Sequence, residues 1–248
     1  MDRQLISLLA HADHPIAAPL EDTSVGALLD RALTGAERVL DLGCGMGEWL
    51  LRALVARPGL FAEGVDISAP ALARAREGAE RLGLRDRLRL HHQSAEDFTS
   101  PDRFDLVLNI GATHAQGGLP PTLAAARRHL RPQGMVLVGE GFWEREPDQA
   151  ALGALGAARE DYDDLATTVD RVVADGWTPV YAHTSTSREW DDYEWSWTGS
   201  LSRWALDHPG DPDAGKAMKA ADAHRSGWLR GYRGTLGFVC LLLRRTSG

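Results

Sequence analysis

The stretch Val39-Leu40-Asp41-Leu42-Gly43-Cys44-Gly45-Met46-Gly47-Glu48-Trp49 decides the predicted fold of this chain. An apolar run ends in an acid, three glycines follow at alternate positions, and leucines and valine then recur at helical spacing over residues 50–55. The pattern predicts a strand, a glycine turn and a helix. Because glycine has no Cβ, such a turn can approach a bound molecule closely, and the helix start offers N–H groups to an anionic end.

The spacing of the glycines separates two kinds of nucleotide-binding turn. The dinucleotide fingerprint Gly-x-Gly-x-x-Gly needs its third glycine where this chain has Glu48, and here the third glycine comes one residue earlier, at Gly47. The spacing therefore argues against a nicotinamide enzyme. The pattern Asp41-x-Gly43-x-Gly45-x-Gly47 instead resembles the first motif of the class I S-adenosylmethionine-dependent methyltransferases. The resemblance implies that the turn lies under the methionine part of S-adenosyl-L-methionine, and that S-adenosyl-L-homocysteine is the product.

Length and composition fit one large α/β domain with an elaboration, or two small domains, at 248 residues and 44% hydrophobic content. No stretch approaches the roughly 18 apolar residues of a membrane span, and the N-terminus lacks a signal-peptide pattern. We therefore expect a cytoplasmic protein with no membrane partner. The formal charge of -8, without a basic stripe, argues against a nucleic-acid partner.

The cysteines and histidines predict neither a disulfide nor a metal site. Cys44 lies inside the glycine turn and Cys240 inside a late apolar run, so a backbone-approach position and a core residue are expected. His91 and His92 are adjacent on a predicted strand and so point to opposite faces. The sequence leaves the oligomeric state open.

Strands and helices alternate from residue 38, which predicts a parallel sheet in an α/β fold. The predicted helices include residues 46–56, 69–82 and 121–130. The predicted strands cover residues 38–42, 61–66, 88–92, 104–111, 135–139, 176–183 and 234–243.

The acid that ends the second predicted strand is the next candidate site residue. Asp66 follows Gly47 by 19 residues, and an acid there can accept both ribose hydroxyls of a nucleoside held beside the glycine turn. Asp66 can alternatively cap the helix that begins near Ser68.

The segment after the third strand, His92-Gln93-Ser94-Ala95-Glu96-Asp97-Phe98, resembles the adenine-contacting segment of the same family. The family commonly has an acid where this chain has Ser94, so that one contact departs from the pattern. The resemblance implies a cofactor site formed by Asp41, Gly43, Cys44, Gly45, Asp66, Ile67, Ser94, Ala95, Glu96 and Asn109.

The ends of the fourth and fifth strands carry the candidate catalytic groups. The resemblance implies that the segment after Asn109 bridges cofactor and substrate, which makes His114 the first candidate for a general base and Glu140 the second. His114 can instead hydrogen-bond loop backbone, and Glu140 can cap a turn or hold the loop that carries Trp143. Trp143 and His114 are also candidates for substrate binding.

The resemblance implies a three-layer Rossmann-like sandwich with a seven-stranded sheet in the order 3-2-1-4-5-7-6, its last strand antiparallel. We expect a single methyltransferase domain over residues 1–248. Within it lie an N-terminal helical flap (1–35), a core (36–184 and 234–245) and a helical cap (185–233) on the active-site side.

The predicted cap is rich in tryptophan and acids. If its start is helical, Trp190, Tyr193 and Trp197 share a face, with Glu194 beside them. This face either docks the cap onto the domain or lines a substrate pocket that favours a cation or a flat aromatic amine, and both can hold. His14 in the N-terminal segment belongs either to a flap over the site or to an ordinary surface arm.

Three functions remain open from the sequence. The favoured one is a bacterial-type methyltransferase for a small-molecule acceptor, such as an amine or another cationic or aromatic compound. The alternatives are a methyltransferase for protein or RNA, and a catalytically silent S-adenosylmethionine-binding regulator.

Overall fold

A computed structural model describes residues 1–246 as a mixed sheet surrounded by helices. The seven strands are β1 Arg38–Leu42, β2 Phe61–Asp66, β3 Leu88–His92, β4 Phe104–Ile110, β5 Leu130–Trp143, β6 Trp177–Thr184 and β7 Leu236–Arg245. The nine α-helices of the described residues are α1 Arg3–Ala10, α2 Asp22–Ala32, α3 Glu48–Ala56, α4 Ala69–Arg81, α5 Leu119–His129, α6 Gln149–Leu155, α7 Leu165–Ala174, α8 Ser187–Asp207 and α9 Ala214–Gly227. A π-helix, Trp228–Tyr232, continues from α9.

The strand order is β3-β2-β1-β4-β5-β7-β6, which confirms the predicted topology. β1, β2, β3, β4 and β5 pair in parallel, whereas β6 and β7 pair antiparallel. Since β1, β4 and β5 are neighbours, residues at their carboxyl ends come to one stretch of the sheet edge. Edge positions of this kind are where ligands bind in open α/β sheets.

The fifth strand is longer than the prediction. Residues 131–134, which lie between the helix predicted over 121–130 and the strand predicted over 135–139, belong to β5, because Leu130 already pairs with Phe104 of β4. The next pair is Met135 with Leu106, so β5 advances five residues while β4 advances two. The extra residues form an irregularity inside the strand, which is how a sheet absorbs residues without losing its register farther along.

Helix α6 is an element that was not predicted from the sequence. Asp148 caps its start by accepting from the Ala151 N–H at 2.8 Å, and Gly156 ends it in the left-handed conformation. An aspartate at the N-cap and a glycine after the last turn are the ordinary boundary signals of a short helix. These signals were present in the sequence.

The chain folds into two compact units, each made of several segments. The cap unit consists of Met1–Leu20, Gly141–Leu165 and Ser185–Phe238, and the sheet unit of Glu21–Glu140, Ala166–Thr184 and the described part of the segment from Val239. The domain boundaries proposed from the sequence differ in kind from this division into units, and they stay a prediction.

The sheet unit is built on the apolar strands, with Leu40, Val107 and Leu137 fully buried in β1, β4 and β5. The cap unit has its own apolar cluster, formed by Leu201 and alanines of α8 and α9 and by Ala10 of α1. Alanines such as Ala217 and Ala221 let helices approach closely, and Trp197 and Trp204 pack against this cluster. Each unit therefore buries apolar residues of its own.

No helix within residues 1–246 has the length and apolar character needed to cross a membrane.

Candidate active site

The glycine turn between β1 and α3 has the backbone geometry that only glycine adopts easily. Gly43, Gly45 and Gly47 have φ values of 101°, 51° and 72°. The N–H groups of Gly43 and Cys44 both donate to the Val65 carbonyl, at 2.9 and 3.0 Å, which anchors the turn on β2. Helix α3 then begins after Gly47.

The three glycines differ in the space around them. A Cβ at Gly43 would lie 2.7 Å from the Ala112 Cβ, so this residue is in close contact with the loop after β4. A Cβ at Gly45 would meet nothing within 4 Å. The turn is therefore packed at its first glycine and open at its second.

Asp66, at the end of β2, holds the open part of the turn. One carboxylate oxygen accepts from the Gly45 N–H at 2.8 Å and the other from the Ser68 N–H at 2.8 Å. The N-cap of α4 is Ser68 itself, whose hydroxyl accepts from the Ala71 N–H. Asp66 thus orders both the glycine turn and the entry to α4, and its predicted ribose contact stays a prediction.

Asp41 is a buried carboxyl group, only 3% exposed, at the end of β1. Its Oδ1 has no hydrogen-bond partner among the described residues. Burial, and next the negative charge of Asp66, raise the pKa of Asp41 to about 7. Burial likewise raises the pKa of the neighbouring Cys44 thiol, which is a free cysteine.

Two more buried oxygens lie at the ends of β4 and β5. Asn109 donates its Nδ2 to the Leu42 carbonyl at 2.6 Å, which leaves its Oδ1 without a partner in residues 1–246. Glu140 Oε2 is buried and equally unpaired within that range. Burial raises the pKa of Glu140 to about 7, while a hydrogen bond with the Thr113 side chain acts in the opposite direction.

These acceptor atoms fit the predicted cofactor. Unpaired buried oxygens are rare in proteins because each carries a desolvation penalty of about 1–3 kcal/mol. Asp41, Asn109 and Glu140 offer three of them at the ends of neighbouring strands. S-adenosyl-L-methionine carries an ammonium and a sulfonium group, and a cation near such oxygens would be stabilised by them.

The remaining predicted cofactor residues lie near the ends of β2 and β3. Ile67 is 62% exposed directly after Asp66. Ser94 accepts from the Glu96 N–H at 3.2 Å and closes a short turn around Ala95. The Ser94 hydroxyl therefore already has one local partner.

The two catalytic candidates occupy different environments. Glu140 is buried, whereas His114 lies on the 3-10 helix Thr113–Gln116 with its side chain exposed. The buried residue of that short helix that contacts Glu140 is Thr113, which was not among the residues selected from the sequence. A threonine in a loop has no sequence signal that distinguishes it from other small polar residues.

In the cap unit, the four predicted substrate residues separate into one buried tryptophan and a cluster. Trp143 is 3% exposed, donates its Nε1 to the Arg159 carbonyl at 2.9 Å and packs edge-on against Tyr162. Its ring and its N–H are both engaged within the unit. The predicted substrate role of Trp143 remains untested.

The other three, His14, Trp190 and Tyr193, lie together and are partly exposed. The Tyr193 ring stands edge-on to His14 at a centroid distance of 5.5 Å and to Trp190 at 6.3 Å. His11 joins them, with its Nε2 3.1 Å from the Tyr193 hydroxyl. We call His11, His14, Trp190 and Tyr193 the aromatic cluster.

Glu194 lies next to this cluster and is 1% exposed. Its Oε1 accepts from the Tyr232 hydroxyl at 2.7 Å, and its Oε2 lies 2.6 Å from His224 Nε2. The His224 ring stacks on Trp197 at 3.8 Å. Helical spacing placed Glu194 beside the aromatic face but did not indicate either partner, since they are 30 and 38 residues away in the sequence.

The π-helix explains how both partners reach Glu194. In a regular α-helix, residues eight apart point in directions about 80° apart. His224 lies in α9 and Tyr232 at the end of the π-helix, whose wider turns change that angle. π-helical turns are frequent at functional sites, so this segment is a signal that structure reveals and sequence does not.

Among residues 1–246, no group of three or more histidine, cysteine, aspartate or glutamate side chains is arranged to hold a metal ion.

Comparison with known proteins identifies the family. A family model described as "Methyltransferase domain" matches residues 39–134. The crystal structure of an S-adenosylmethionine-dependent methyltransferase from Geobacter sulfurreducens, in complex with S-adenosyl-L-homocysteine, is similar with a TM-score of 0.88 and 28% identity. The similarity covers 97% of this chain and 98% of that one.

Two curated relatives extend the comparison. The release factor glutamine methyltransferase of Caulobacter vibrioides is 31% identical over 197 residues, which cover 67% of this chain and 68% of the relative. A ubiquinone biosynthesis O-methyltransferase of Cereibacter sphaeroides is 31% identical over 153 residues, covering 59% and 60%. The chain belongs to the class I S-adenosylmethionine-dependent methyltransferases.

Proposed function

We propose that the chain methylates a small-molecule acceptor that carries a flat aromatic or cationic group, such as an amine. The observation that carries the proposal is the aromatic cluster. His14, Trp190 and Tyr193 present partly exposed rings within one compact unit, and rings arranged edge to face suit another flat ring or a cation.

The cofactor, when bound, supplies the methyl group as an electrophile. We propose that the buried oxygens of Asp41 and Asn109 hold its cationic methionine end. Asp66 is proposed to accept the ribose hydroxyls and the Ser94–Glu96 turn to contact the adenine, as the sequence predicts. His114 and Glu140 remain the two general bases predicted from the sequence.

The names of the two relatives point to different acceptors. One names methyl transfer to oxygen in ubiquinone biosynthesis and supports a small-molecule acceptor. The other names a release factor glutamine and favours a protein acceptor, which is our second candidate. The formal charge of -8 weighs against an RNA acceptor, since phosphate recognition needs clustered cations. A cytoplasmic location stays a prediction.

A labelled-methyl transfer screen tests the proposal. The protein is incubated with S-adenosyl-L-methionine labelled in its methyl group and with panels of aromatic amines, phenols, aliphatic amines and thiols. We expect label in a product extracted with the small molecules. Label that enters only a release factor or another added protein would support the second candidate. Label in no fraction, despite calorimetric binding of the cofactor, would refute both.

The role of the cluster is tested separately by Trp190→Ala. If the rings bind the acceptor, Trp190→Ala raises KM by about 2- to 13-fold, since one aromatic contact contributes about 0.5–1.5 kcal/mol. The melting temperature of the variant is measured as well. A raised KM with an unchanged melting temperature indicates acceptor binding, whereas a lower melting temperature with an unchanged KM indicates packing. Trp204→Ala is the matched control for packing, because both tryptophans lie on α8 and pack against apolar clusters of the cap unit, Trp190 against that of Ala151, Trp228 and Tyr232 and Trp204 against the α8–α9 cluster.

A further inference from the structure

His11 and Tyr193 form a hydrogen bond whose direction can be assigned. His11 ends α1, and its Nδ1 lies 2.8 Å from the Ser7 carbonyl oxygen. A carbonyl only accepts, so Nδ1 carries the proton in the neutral ring. Nε2 then has a lone pair, and the Tyr193 hydroxyl 3.1 Å away donates to it. The pair is thus aligned to pass a proton from Tyr193 to His11.

The surroundings of His11 favour its neutral form. Burial lowers the pKa of the imidazole, and the neighbouring His14 and His224 act in the same direction. The hydrogen bond to the Ser7 carbonyl and the charge of Glu194 act in the opposite direction, but burial is the largest influence. A neutral His11 near pH 7 has its Nε2 lone pair free to accept the Tyr193 proton.

The Tyr193 oxygen has acceptor capacity left after it donates to His11. A phenol oxygen carries two lone pairs, so Tyr193 can accept a hydrogen bond from a ligand hydroxyl while its own proton points to Nε2. Its ring is fixed edge-on to His14 and Trp190 and is partly exposed. A flat acceptor lying against these rings would bring a ring hydroxyl to the Tyr193 oxygen.

The nearby carboxylate is not available to pair with a cationic acceptor. Glu194 is buried, and both of its oxygens are engaged, one by Tyr232 and the other by His224. The sequence pattern suggested that this acid would favour a cation. Its observed pairing occupies both oxygens, so a cation could not bind Glu194 directly, and the cluster keeps one directed proton path.

We propose that Tyr193 and His11 act together as the base that takes the proton of an aromatic hydroxyl acceptor. The inference rests on the proposed small-molecule methyltransferase function and narrows its acceptor to phenols and related ring hydroxyls. In the reaction the acceptor oxygen gains a methyl group and its O–H bond breaks. That proton moves to the Tyr193 oxygen, while the Tyr193 proton moves to His11 Nε2. The resulting imidazolium carries the charge that the methyl donor loses, and releases its proton to solvent.

Two substitutions test the pair with little change in shape. Tyr193→Phe keeps the ring against His14 and Trp190 and removes the oxygen. His11→Gln keeps a polar group near Nε2 that cannot take a proton. We expect each to lower kcat for a phenol acceptor by about 100-fold or more, the usual contribution of a positioned base. The Kd for S-adenosyl-L-homocysteine should change less than about twofold, and KM should rise by no more than the roughly 13-fold that the loss of one hydrogen bond explains.

His208→Gln is the matched control. His208 ends α8 as His11 ends α1, and its Nδ1 lies 2.8 Å from the carbonyl four residues earlier, that of Trp204. Its ring is exposed and stacks on Trp204. We expect His208→Gln to keep the wild-type kcat. His114→Ala is run in parallel, because the proton would leave through His114 if the base predicted from the sequence were correct.

The pH profile provides a second kinetic readout. We expect kcat/KM of the wild type to rise with pH as His11 loses its proton, with an apparent pKa below 6.5. His14, His224 and Glu194 also face His11. Variants that replace each of them with an uncharged residue are therefore needed to assign the rise of kcat/KM to His11. The rise of kcat/KM with pH should disappear in His11→Gln and persist in His208→Gln.

A nitrogen-15 spectrum of histidine-labelled protein tests the pair without turnover. We expect an unprotonated, hydrogen-bonded Nε2 for His11 near pH 7, with a shift in Tyr193→Phe. A protonated Nε2, or wild-type kcat in Tyr193→Phe, would overturn the pair while the small-molecule function stands. A wild type that methylates amines or thiols but no phenol would overturn the acceptor class. A wild type that binds cofactor and methylates nothing would refute the proposed function, and this inference with it.

Discussion

The sheet edge and the cap unit both bury carboxyl groups, but they satisfy them in opposite ways. At the sheet edge, one oxygen each of Asp41, Asn109 and Glu140 is buried without a partner among residues 1–246. In the cap unit, both oxygens of Glu194 are paired, with Tyr232 and with His224. The sheet edge is therefore incomplete by itself, whereas the Glu194 site is complete.

This difference separates a binding site from a supporting structure. A buried acceptor without a partner destabilises the protein until a donor or cation arrives, so ligand binding is favoured there. A buried carboxylate whose partners are all present holds its neighbours in place instead. We infer that the sheet edge binds the charged end of the cofactor and that Glu194 ties α8, which carries Trp190 and Tyr193, to α9 and the π-helix.

Glu194→Ala should have the largest effect. Removing the carboxylate leaves the buried Tyr232 hydroxyl and the His224 ring without their partner, and opens a cavity between helices. We expect the free energy of unfolding to fall by about 3–5 kcal/mol. Urea denaturation followed by tryptophan fluorescence measures it.

Asp192→Ala is the control for that substitution. Asp192 lies two residues away on the same helix, is exposed, and makes a long contact of 3.9 Å with Arg188. Exposed pairs of this kind contribute about 0–1 kcal/mol. Equal losses for Glu194→Ala and Asp192→Ala would mean that the pairing around Glu194 does not support the cap unit.

The unpaired carboxyl groups of Asp41 and Glu140 should make the free energy of unfolding depend on pH. Burial raises the folded-state pKa of Asp41 and Glu140 to about 7. Between about pH 4 and 7 the unfolded chain releases these protons while the folded chain keeps them. The free energy of unfolding therefore falls as pH rises, by about 1.4 kcal/mol per pH unit for each group.

Asp41→Asn tests this directly. We expect its unfolding free energy to fall less steeply, with a cumulative difference of about 3 kcal/mol between pH 4.5 and 6.5. A saturating cationic ligand such as S-adenosyl-L-methionine should also flatten the wild-type dependence. Identical slopes in the wild type and Asp41→Asn would show that Asp41 is ionised throughout and is not an open acceptor.

The Asp66→Ala substitution tests the sheet edge through binding. Asp66 accepts from Gly45 and Ser68, so its loss removes the predicted ribose acceptor and also releases the glycine turn. We expect the Kd for S-adenosyl-L-homocysteine, measured by calorimetry, to rise about 100-fold, which is roughly 2.7 kcal/mol. Asp86→Ala, an exposed acid of the same unit, should leave the Kd unchanged. A similar rise of the Kd in both variants would mean that the loss of any one negative charge weakens binding, and not the loss of the Asp66 contacts.

The order of elements was predictable because it rests on local patterns. Alternating apolar runs and helical spacings lie within short windows, and the predicted bounds of β1, β2 and β3 match the structure. A shared face of Trp190, Tyr193 and Trp197 was predicted on the condition that this stretch is helical, and all three lie in α8. What the resemblance added was the strand order, which no local pattern determines.

Which carboxyl groups are paired could not be predicted from the sequence, and the reason is physical. Whether Glu194 is satisfied depends on His224 and Tyr232, which lie 30 and 38 residues away in the sequence and reach it from α9 and the π-helix. Whether Asp41 is unsatisfied depends on every neighbour that could donate to it. Both are properties of the packed state, and an acid in a sequence looks the same in either case.

Two glycine substitutions, one at the sheet edge and one in the cap unit, should change the free energy of unfolding least. Gly45 lies in open space with a positive φ, whereas a Cβ at Gly231 of the cap unit would lie 2.8 Å from the Ala154 Cβ and 2.9 Å from the Ala150 carbonyl oxygen. We expect Gly231→Ala to lower the free energy of unfolding by about 1–3 kcal/mol through crowding, without changing cofactor affinity.

Gly45→Ala should lower the free energy of unfolding by about 1 kcal/mol, because alanine is strained at this φ. If the space at Gly45 is kept for the cofactor, the added methyl group should also weaken S-adenosyl-L-homocysteine binding, and by more than the strain alone explains. Calorimetry and urea denaturation on both variants separate the two effects. An unchanged Kd in Gly45→Ala would mean that the open side of the turn is not where the cofactor lies, and the contrast between an incomplete sheet edge and a complete Glu194 site would then need another ligand to explain it.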